Sequence, residues 1–167
     1  MYEDACILTT KDLTILEVVS DRCGPDDPLL PLLRRKIRNA TVVLRDDVPD
    51  TVATLSSRVS FRAGDDPDET RVLSHGRING PVGMFLPLST MRGLALLGMA
   101  EGQTCMIDEQ GHEKPVTLLA VLYQPEAQRR ARAVQPVPQR PRLRLVSGGA
   151  MAPEPSVAGD DPGPSAA

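Results

Sequence analysis

The feature of this chain that most constrains its fold is a row of short β-type runs between residues 52 and 125, interrupted by one small helix. Residues 58–62 alternate polar and apolar side chains, which is the pattern of a half-buried strand. Residues 63–69 follow as a loop, because they are rich in Gly, Asp and Pro. The runs that predict strands are residues 58–62, 70–74, 84–86, 104–107 and 116–123.

A short helix is predicted between the third and fourth of these strands. Ser89 or Thr90 can cap its start, since a side-chain hydroxyl accepts a hydrogen bond from a free backbone N–H of the first turn. Gly98 ends it, because glycine adopts the left-handed conformation that most residues avoid. The order of elements predicts an α+β domain over residues 49–127, in which a small antiparallel sheet packs on one helix.

Residues 1–48 predict a second unit, a short antiparallel helical hairpin of the coiled-coil type. Apolar or small residues recur at spacings of three and four on both sides of a break at residues 23–28. The second helix is expected to run from Pro31 to Leu44, which is about 14 residues or about 21 Å. The residues with this spacing are Leu13, Leu16, Ser20 and Cys23 in the first helix, and Leu30, Leu33, Ile37, Ala40 and Leu44 in the second.

The outer face of the second helix is predicted to carry a stripe of basic side chains. Such a stripe is either a solvated helix face or a surface that docks on an acidic partner or on phosphate. We retain Arg34, Arg35 and Arg38 as candidate partner-binding residues. The full stripe consists of Arg34, Arg35, Lys36, Arg38 and Arg45.

Two adjacent carboxylates, Asp26 and Asp27, lie at the predicted tip of the hairpin. Asp27 can cap the second helix with Pro28 at its first position, and Asp26 fits an ordinary turn. Alternatively, two carboxylates on a projecting tip could hold a divalent cation in a partner's active site. His75 and His112 are not at ligand spacing from a cysteine or from each other, so we expect no catalytic residue, no metal site and no cofactor.

Composition narrows the class of protein. Two Phe, two Tyr and no Trp leave the core to aliphatic side chains, and the net charge of −3 does not by itself indicate a nucleic-acid binder. No run approaches the roughly 18 apolar residues that cross a bilayer, so we expect a cytoplasmic protein without membrane attachment. Three cysteines at unrelated spacings, Cys6, Cys23 and Cys105, favour buried free thiols over a disulfide framework.

Residues 128–167 are predicted to form a disordered tail. Two arginine clusters, at residues 129–132 and 140–144, lie near prolines, and the end of the chain is mostly Pro, Gly, Ala and Ser. Such a segment buries too little apolar area to offset its chain entropy. The tail is therefore a solubilising extension, or it contacts nucleic acid or an acidic protein through its arginines.

Three motifs stand out in this arrangement. They are Ser-Arg-Val-x-Phe-Arg at residues 57–62, Ala-Leu-Leu-Gly-x-x-x-Gly at residues 95–102 and Tyr-Gln-Pro-Glu-Ala at residues 123–127. With the hairpin, they resemble the bacterial regulator of nucleoside diphosphate kinase, a family related to the Gre transcript-cleavage factors through their C-terminal domain. The resemblance covers roughly residues 8–127. It implies an FKBP-like domain that binds bacterial RNA polymerase near the mouth of its secondary channel, with the hairpin pointing into the channel.

What the resemblance implies is a non-catalytic regulator of transcription elongation. In the Gre factors a much longer hairpin carries acidic residues to the catalytic Mg²⁺ of the polymerase, whereas the regulators have a shorter hairpin and are not thought to cleave RNA. A helix of about 21 Å is of the short kind, so Asp26 and Asp27 are not expected to reach the metal. The chain departs from the family at the start of its short helix, where Thr90, Met91 and Arg92 stand at the position that faces the polymerase.

Two alternatives remain open. A Gre-type cleavage factor would use the tip carboxylates, and a prolyl isomerase or another protein-interaction module would use the FKBP-like fold. An isomerase pocket usually needs a cluster of aromatic side chains, which two Phe and two Tyr hardly supply. We expect a monomer whose partner is bacterial RNA polymerase, with nucleic acid contacted only indirectly or through the arginine-rich tail.

Overall fold

Two β-sheets and four helices make up residues 5–76 and 80–134, which are the residues that the computed structural model describes. The predicted α+β class is confirmed, and the strands predicted between residues 58 and 123 are present. In chain order the elements are β1 (Cys6–Thr9), α1 (Thr10–Arg22), α2 (Leu30–Asn39), β2 (Ala40–Val43), β3 (Arg58–Ala63), β4 (Glu69–Ser74), β5 (Phe85–Pro87), α3 (Met91–Leu96), β6 (Thr104–Glu109), β7 (His112–Tyr123) and α4 (Pro125–Val134).

The larger sheet has five strands in the order β5-β4-β3-β7-β6. β3 pairs antiparallel with β4 and with β7, and β7 pairs antiparallel with β6. β5, however, lies parallel to β4, so the prediction of a purely antiparallel sheet is wrong at this edge. Two strands joined by a tight turn pair antiparallel, so the ten residues between β4 and β5 leave room for the parallel arrangement.

Two short strands that the sequence-based prediction lacks, β1 and β2, flank the hairpin and pair in parallel. β1 also joins the rest of the domain, since the Ile7 N–H donates to the Gly98 carbonyl at 2.9 Å. Gly98 has a φ of +79°, as its predicted role requires, and a Cβ there would lie 2.5 Å from the Sγ of Cys6. β1 therefore fixes the hairpin to the segment that follows α3.

The second helix of the hairpin is shorter than predicted. α2 ends at Asn39 and has 10 residues, so it extends about 15 Å rather than about 21 Å. The predicted apolar seam continues to Leu44, but residues 40–43 form β2 and Leu44 is 64% exposed. The β-branched side chains of β2 favour the extended conformation, and β1 supplies the hydrogen-bond partners.

One hydrophobic core runs through the hairpin and the larger sheet. Leu16 of α1 and Leu33 of α2 are fully buried in the same cluster as Phe61 of β3, Leu94 of α3 and Leu118 of β7. Burying such a side chain contributes about 1.5–3 kcal/mol. The hairpin is therefore held against the sheet by packing, which fixes the position of its tip.

The motif Tyr-Gln-Pro-Glu-Ala links β7 and α4 to the segment before β3. The side-chain amide of Gln124 donates to the carbonyls of Pro49 and Val52, at 2.8 and 2.7 Å. The hydroxyl of Thr54 donates to the carboxylate of Glu126 at 2.7 Å, and both residues are buried. The polar residues of this motif thus stabilise the fold.

The C-terminal helix α4 begins before the predicted tail and extends into it. Residues 128–134 are helical, which differs from the disorder predicted for them. Arg130 fixes this helix, because its guanidinium pairs with Asp50 and donates to the carbonyls of Arg45 and Asp46. Residues 135–167, with the second arginine cluster, lie outside the described part of the chain.

A buried carboxylate lies at the start of α1. Asp12 is 2% exposed; its Oδ1 accepts from the Leu55 N–H at 3.4 Å, and its Oδ2 has no hydrogen-bond partner within the described ranges. Burial raises the pKa of Asp12, a direction that the charge of Glu126 reinforces and a hydrogen bond from Thr9 opposes. The ionised carboxylate therefore costs stability at neutral pH.

Asp12→Asn is expected to raise the free energy of unfolding at pH 7 by about 1 kcal/mol, because it removes a buried charge that lacks one partner. The folded-state pKa of Asp12 lies above the unfolded value of 3.8, so the parent protein gains stability as the pH falls towards 3.8. The advantage of the variant should therefore shrink with falling pH. Urea denaturation at a series of pH values measures it, with exposed Asp47→Asn as control. An advantage that does not change with pH contradicts this account.

Candidate partner-binding groove

A groove of about 770 Å³ lies where the tip of the hairpin meets the larger sheet. The start of α2 forms one side, and the start of α3 with the β6–β7 hairpin forms the other. Its buried and half-buried lining is apolar except for Arg35, and the residues Asp108 and Glu113 are exposed. The lining residues are Pro28, Pro31, Leu32, Arg35, Met91, Met106, Ile107, Asp108, Gln110, Gly111 and Glu113.

The start of α3 holds Met91 in this groove. Thr90 caps the helix as predicted, because its Oγ1 accepts from the Gly93 N–H at 3.1 Å. The same hydroxyl donates to the Pro87 carbonyl at 2.7 Å, which ties the cap to the end of β5. Thr90 is therefore occupied with local hydrogen bonds, and Met91 is the residue of the predicted loop that lines the groove.

Arg92, the third residue of that loop, is bound to acidic side chains of the sheet and of the loop between β3 and β4. Its guanidinium makes four hydrogen bonds to three carboxylates: Glu109 at 2.7 and 2.9 Å, Asp66 at 3.2 Å and Glu69 at 3.3 Å. Lys114 adds a second cation, 2.7 Å from Asp66. These contacts fix α3 against the sheet. The side chain of Arg92 is 22% exposed, so part of the guanidinium or its stem still meets solvent.

The charges of this network set the pKa values of its acids. Hydrogen bonding to Arg92 holds the pKa of Glu109 below its ordinary value, and hydrogen bonding to Lys114 does the same for Asp66. An acid whose pKa is lowered on folding stabilises the protein above its unfolded pKa and loses that contribution as the pH falls through its folded pKa. The network therefore stabilises the fold at neutral pH.

Glu109→Gln is expected to lower the free energy of unfolding at pH 7 by about 1 kcal/mol, because it removes a two-point charged contact that is only partly exposed. The deficit should begin to shrink as the pH falls below 4.5, the ordinary pKa of a glutamate. It should disappear only once the pH has passed the lowered pKa of Glu109 in the folded protein, because the parent carboxylate is then protonated as well. Chemical denaturation between pH 3 and 7 measures the difference. The exposed Glu113→Gln is the control; an equal deficit in both variants, or one that persists at low pH, contradicts the prediction.

The predicted basic stripe of α2 is divided by the fold. Arg34 and Arg38 are exposed. Lys36 is buried, and its Nζ donates to the Leu97 carbonyl at 2.6 Å, so its assignment to the outer face is wrong. Arg35 is half-buried and donates to the Met106 carbonyl at 3.3 Å. Of the candidate arginines, Arg35 is the one that lines the groove.

The hairpin tip differs from its prediction in the role of Asp27. The cap position of α2 is Leu29, which makes no side-chain cap. Asp27 instead accepts from the Leu29 N–H at 2.9 Å and so stabilises the turn before the helix. Asp26 is exposed. Pro28, next to these acids, lines the groove.

The contribution of the β6–β7 hairpin to the groove is not foreseen from the sequence. Gln110 and Gly111 both have positive φ, +58° and +80°, and the Gly111 N–H donates to the Asp108 carboxylate at 2.8 Å. This turn is predictable from its residues, but its approach to α2 depends on packing. Within the described ranges, no group of three acidic, His or Cys side chains could hold a metal ion, and no helix is long and apolar enough to cross a membrane.

Comparison with known proteins gives matches among solved structures. No protein-family model and no curated protein matches the chain. The prokaryotic transcription elongation factor GreA/GreB from Nitrosomonas europaea is similar over 71% of this chain and 98% of its own, with 24% identity and a TM-score of 0.56.

The Gfh1 proteins of Thermus thermophilus and Thermus aquaticus match 71% of this chain at 14% and 13% identity, with TM-scores of 0.35 and 0.36. The matched part spans 99% of the Thermus thermophilus chain and 98% of the Thermus aquaticus chain. The TM-score of 0.56 for the GreA/GreB factor supports a common fold, which agrees with the predicted relation to the Gre factors. This chain is therefore built on the fold of the prokaryotic transcription elongation factor GreA/GreB.

Proposed function

We propose that this protein docks on bacterial RNA polymerase at its secondary channel and modulates transcription elongation without cleaving RNA. The observation that carries the proposal is the fold shared with a GreA/GreB elongation factor across nearly all of that factor's length. The groove between the hairpin and the sheet is the surface that would contact the polymerase. Its apolar lining with a few charged groups is typical of a protein-binding site.

The short hairpin supports the non-catalytic part of the proposal. α2 rises about 15 Å over its 10 residues, which is less than the sequence pattern suggests. Asp27 is engaged by the Leu29 N–H, so Asp26 is the more available carboxylate of the tip. One exposed carboxylate on a short hairpin is a poor donor of the paired oxygen ligands that a divalent cation needs.

A role like that of the regulators of nucleoside diphosphate kinase comes from the resemblance of the motifs. Tyr-Gln-Pro-Glu-Ala, the most specific of them, stabilises the junction of β7 and α4. It therefore supports a common architecture. An effect on nucleoside diphosphate kinase is part of the proposal. The prolyl isomerase alternative is weaker, because the groove lining contains no aromatic side chain.

The test is a stalled-complex assay with purified bacterial RNA polymerase, in which this protein competes with a Gre factor while RNA cleavage is followed. The parent protein should block Gre-stimulated cleavage and stimulate none itself. Asp26→Asn combined with Asp27→Asn should block to the same degree, because the tip acids do not act on the metal. A double variant of the exposed residues Asp46 and Asp47 provides a control with the same change of charge.

Two results would overturn the proposal. Cleavage stimulated by the parent protein alone and lost in the tip variant identifies a Gre-type cleavage factor. Failure to bind the polymerase or to compete at any concentration removes the polymerase as the partner.

A further inference from the structure

Two of the three cysteines line one small cavity between the hairpin and the sheet. Cys6 of β1 and Cys105 of β6 face this cavity together with Arg35 and Lys36 of α2. Its volume is about 20 Å³, which is enough for roughly one water molecule. Ninety-nine residues of sequence separate the two thiols, so it is the fold that brings them together with two cations.

The environment of Cys105 is that of a reactive thiol. Its side chain is half-buried, and the Nη2 of Arg35 donates to its Sγ at 3.4 Å. A cation at this distance stabilises the thiolate, which is the form of cysteine that attacks an oxidant. Reactive cysteines are typically partly exposed and electropositive in this way.

Cys6 has the properties of the second, slower thiol of a pair. It is 4% exposed, its Sγ lies 3.8 Å from the Leu97 carbonyl oxygen, and the Nζ of Lys36 lies 3.9 Å away. Burial raises the pKa of the Cys6 thiol, while Lys36 opposes this shift. A solvent-borne oxidant therefore meets Cys105 before Cys6.

We propose that Cys105 and Cys6 form a redox-responsive thiol pair that a peroxide converts to an intramolecular disulfide. The Cys105 thiolate attacks one peroxide oxygen, the O–O bond breaks, and the products are a sulfenic acid and hydroxide, which takes up a proton. The Cys6 sulfur then attacks the Cys105 sulfur, the S–O bond breaks, and the hydroxyl leaves as water. In total, two thiols lose two electrons and two protons, and one hydrogen peroxide becomes two water molecules.

The pair is connected to the groove through Arg35. This side chain touches Cys105 in the cavity and also lines the groove beside Met91 and Met106. Oxidation converts the Cys105 sulfur that Arg35 contacts into half of a disulfide, which joins β1 covalently to β6. We expect the oxidised protein to bind RNA polymerase with altered affinity, a consequence that rests on the proposed function, whereas the thiol chemistry does not.

The test uses the full chain carrying Cys23→Ser, so that Cys6 and Cys105 are the two remaining thiols. After treatment with hydrogen peroxide, intact-mass spectrometry should record the loss of two hydrogen atoms, and neither cysteine should be alkylated until a reductant is added. Cys6→Ser in this background should stop at a Cys105 sulfenic acid that dimedone traps. Cys105→Ser should give neither product.

Cys23 provides the internal control in the parent protein. It is also partly exposed, but burial and, after it, the neighbouring carboxylate of Asp27 raise the pKa of the Cys23 thiol. Cys105 has the guanidinium of Arg35 beside its sulfur instead of a carboxylate, so it should react at least roughly tenfold faster than Cys23.

Three outcomes overturn the proposal: equal rates at Cys105 and Cys23, a Cys105 sulfenic acid that persists although Cys6 is present, and a disulfide that maps to Cys23. Because the disulfide is mapped in a protein that retains both Cys6 and Cys105, the result does not depend on whether the Cys6→Ser variant folds. It is also independent of polymerase binding, so failure of the proposed function leaves it intact.

Discussion

Gly93→Ala is expected to lower the free energy of unfolding by about 3 kcal/mol, at the upper end of the usual cost of overpacking. A Cβ at Gly93 would lie 2.2 Å from the carbonyl oxygen of Pro87 and 2.9 Å from its carbon. These are backbone atoms, and they cannot rotate away as the end of a side chain does. The start of α3 must therefore shift away from β5, which breaks the hydrogen bonds of Thr90 to Gly93 and to Pro87.

Urea denaturation of the Gly93→Ala variant measures this loss directly. Gly24→Ala is the matched control, because no atom lies within 4 Å of a Cβ at Gly24 and its φ is not positive. That variant should change the free energy of unfolding by no more than about 0.5 kcal/mol. Equal effects of the two substitutions would show that α3 can move freely against the end of β5, and would contradict the packing described for this site.

The larger sheet could be predicted because its signals are local. Residues 58–62 alternate along one strand, and Gly98 ends α3 with the positive φ that the pattern requires. The parallel pairing of β5 could not be predicted in the same way, since it depends on the path of a long connection. Whether a segment forms a strand depends on its own residues. The direction in which β5 runs beside β4 depends instead on how the chain connects the two strands.

The N-terminal sheet escaped prediction because a helical spacing and a strand compete for the same residues. Ala40 continues the apolar spacing of α2, yet it starts β2 and pairs with Cys6. The partner strand lies more than thirty residues earlier in the sequence, so no local pattern reveals it. The pairing of β2 with β1 ends α2 at Asn39, and the hairpin is therefore shorter than predicted.

The partner-binding role of the candidate residues stays a prediction, but the structure shows which of them line one groove. Met91 lies in the groove. The acids around Arg92 come from two other parts of the chain, as with Asp66 and Glu109, and a single sequence does not reveal such pairing. Likewise, the contact of Arg35 with Cys105 spans 70 residues, so the spacing of basic residues along one helix does not reveal it.

Met91→Glu is expected to weaken binding to RNA polymerase roughly thirtyfold, corresponding to about 2 kcal/mol, if the groove is the docking surface of the proposed function. Met91 is half-buried in the groove beside Met106, so a bound partner would cover it. A glutamate there would carry a charge into that contact, and Asp108 and Glu113 would repel it. Arg35, the cation of the same lining, already donates to the Met106 carbonyl and to Cys105. A titration with purified polymerase measures the change in the dissociation constant.

Leu122→Glu is the matched control for this variant. Leu122 is apolar and 56% exposed, and it lies on β7 outside the groove, so the same gain of negative charge should change affinity less than about threefold, as is usual for charges outside a contact. Thermal unfolding of both variants separates loss of binding from loss of fold, because Met91 also packs against the core. If folded Met91→Glu protein binds as tightly as the parent and Leu122→Glu does not, the polymerase contacts the β7 face, and the docking surface must be reassigned.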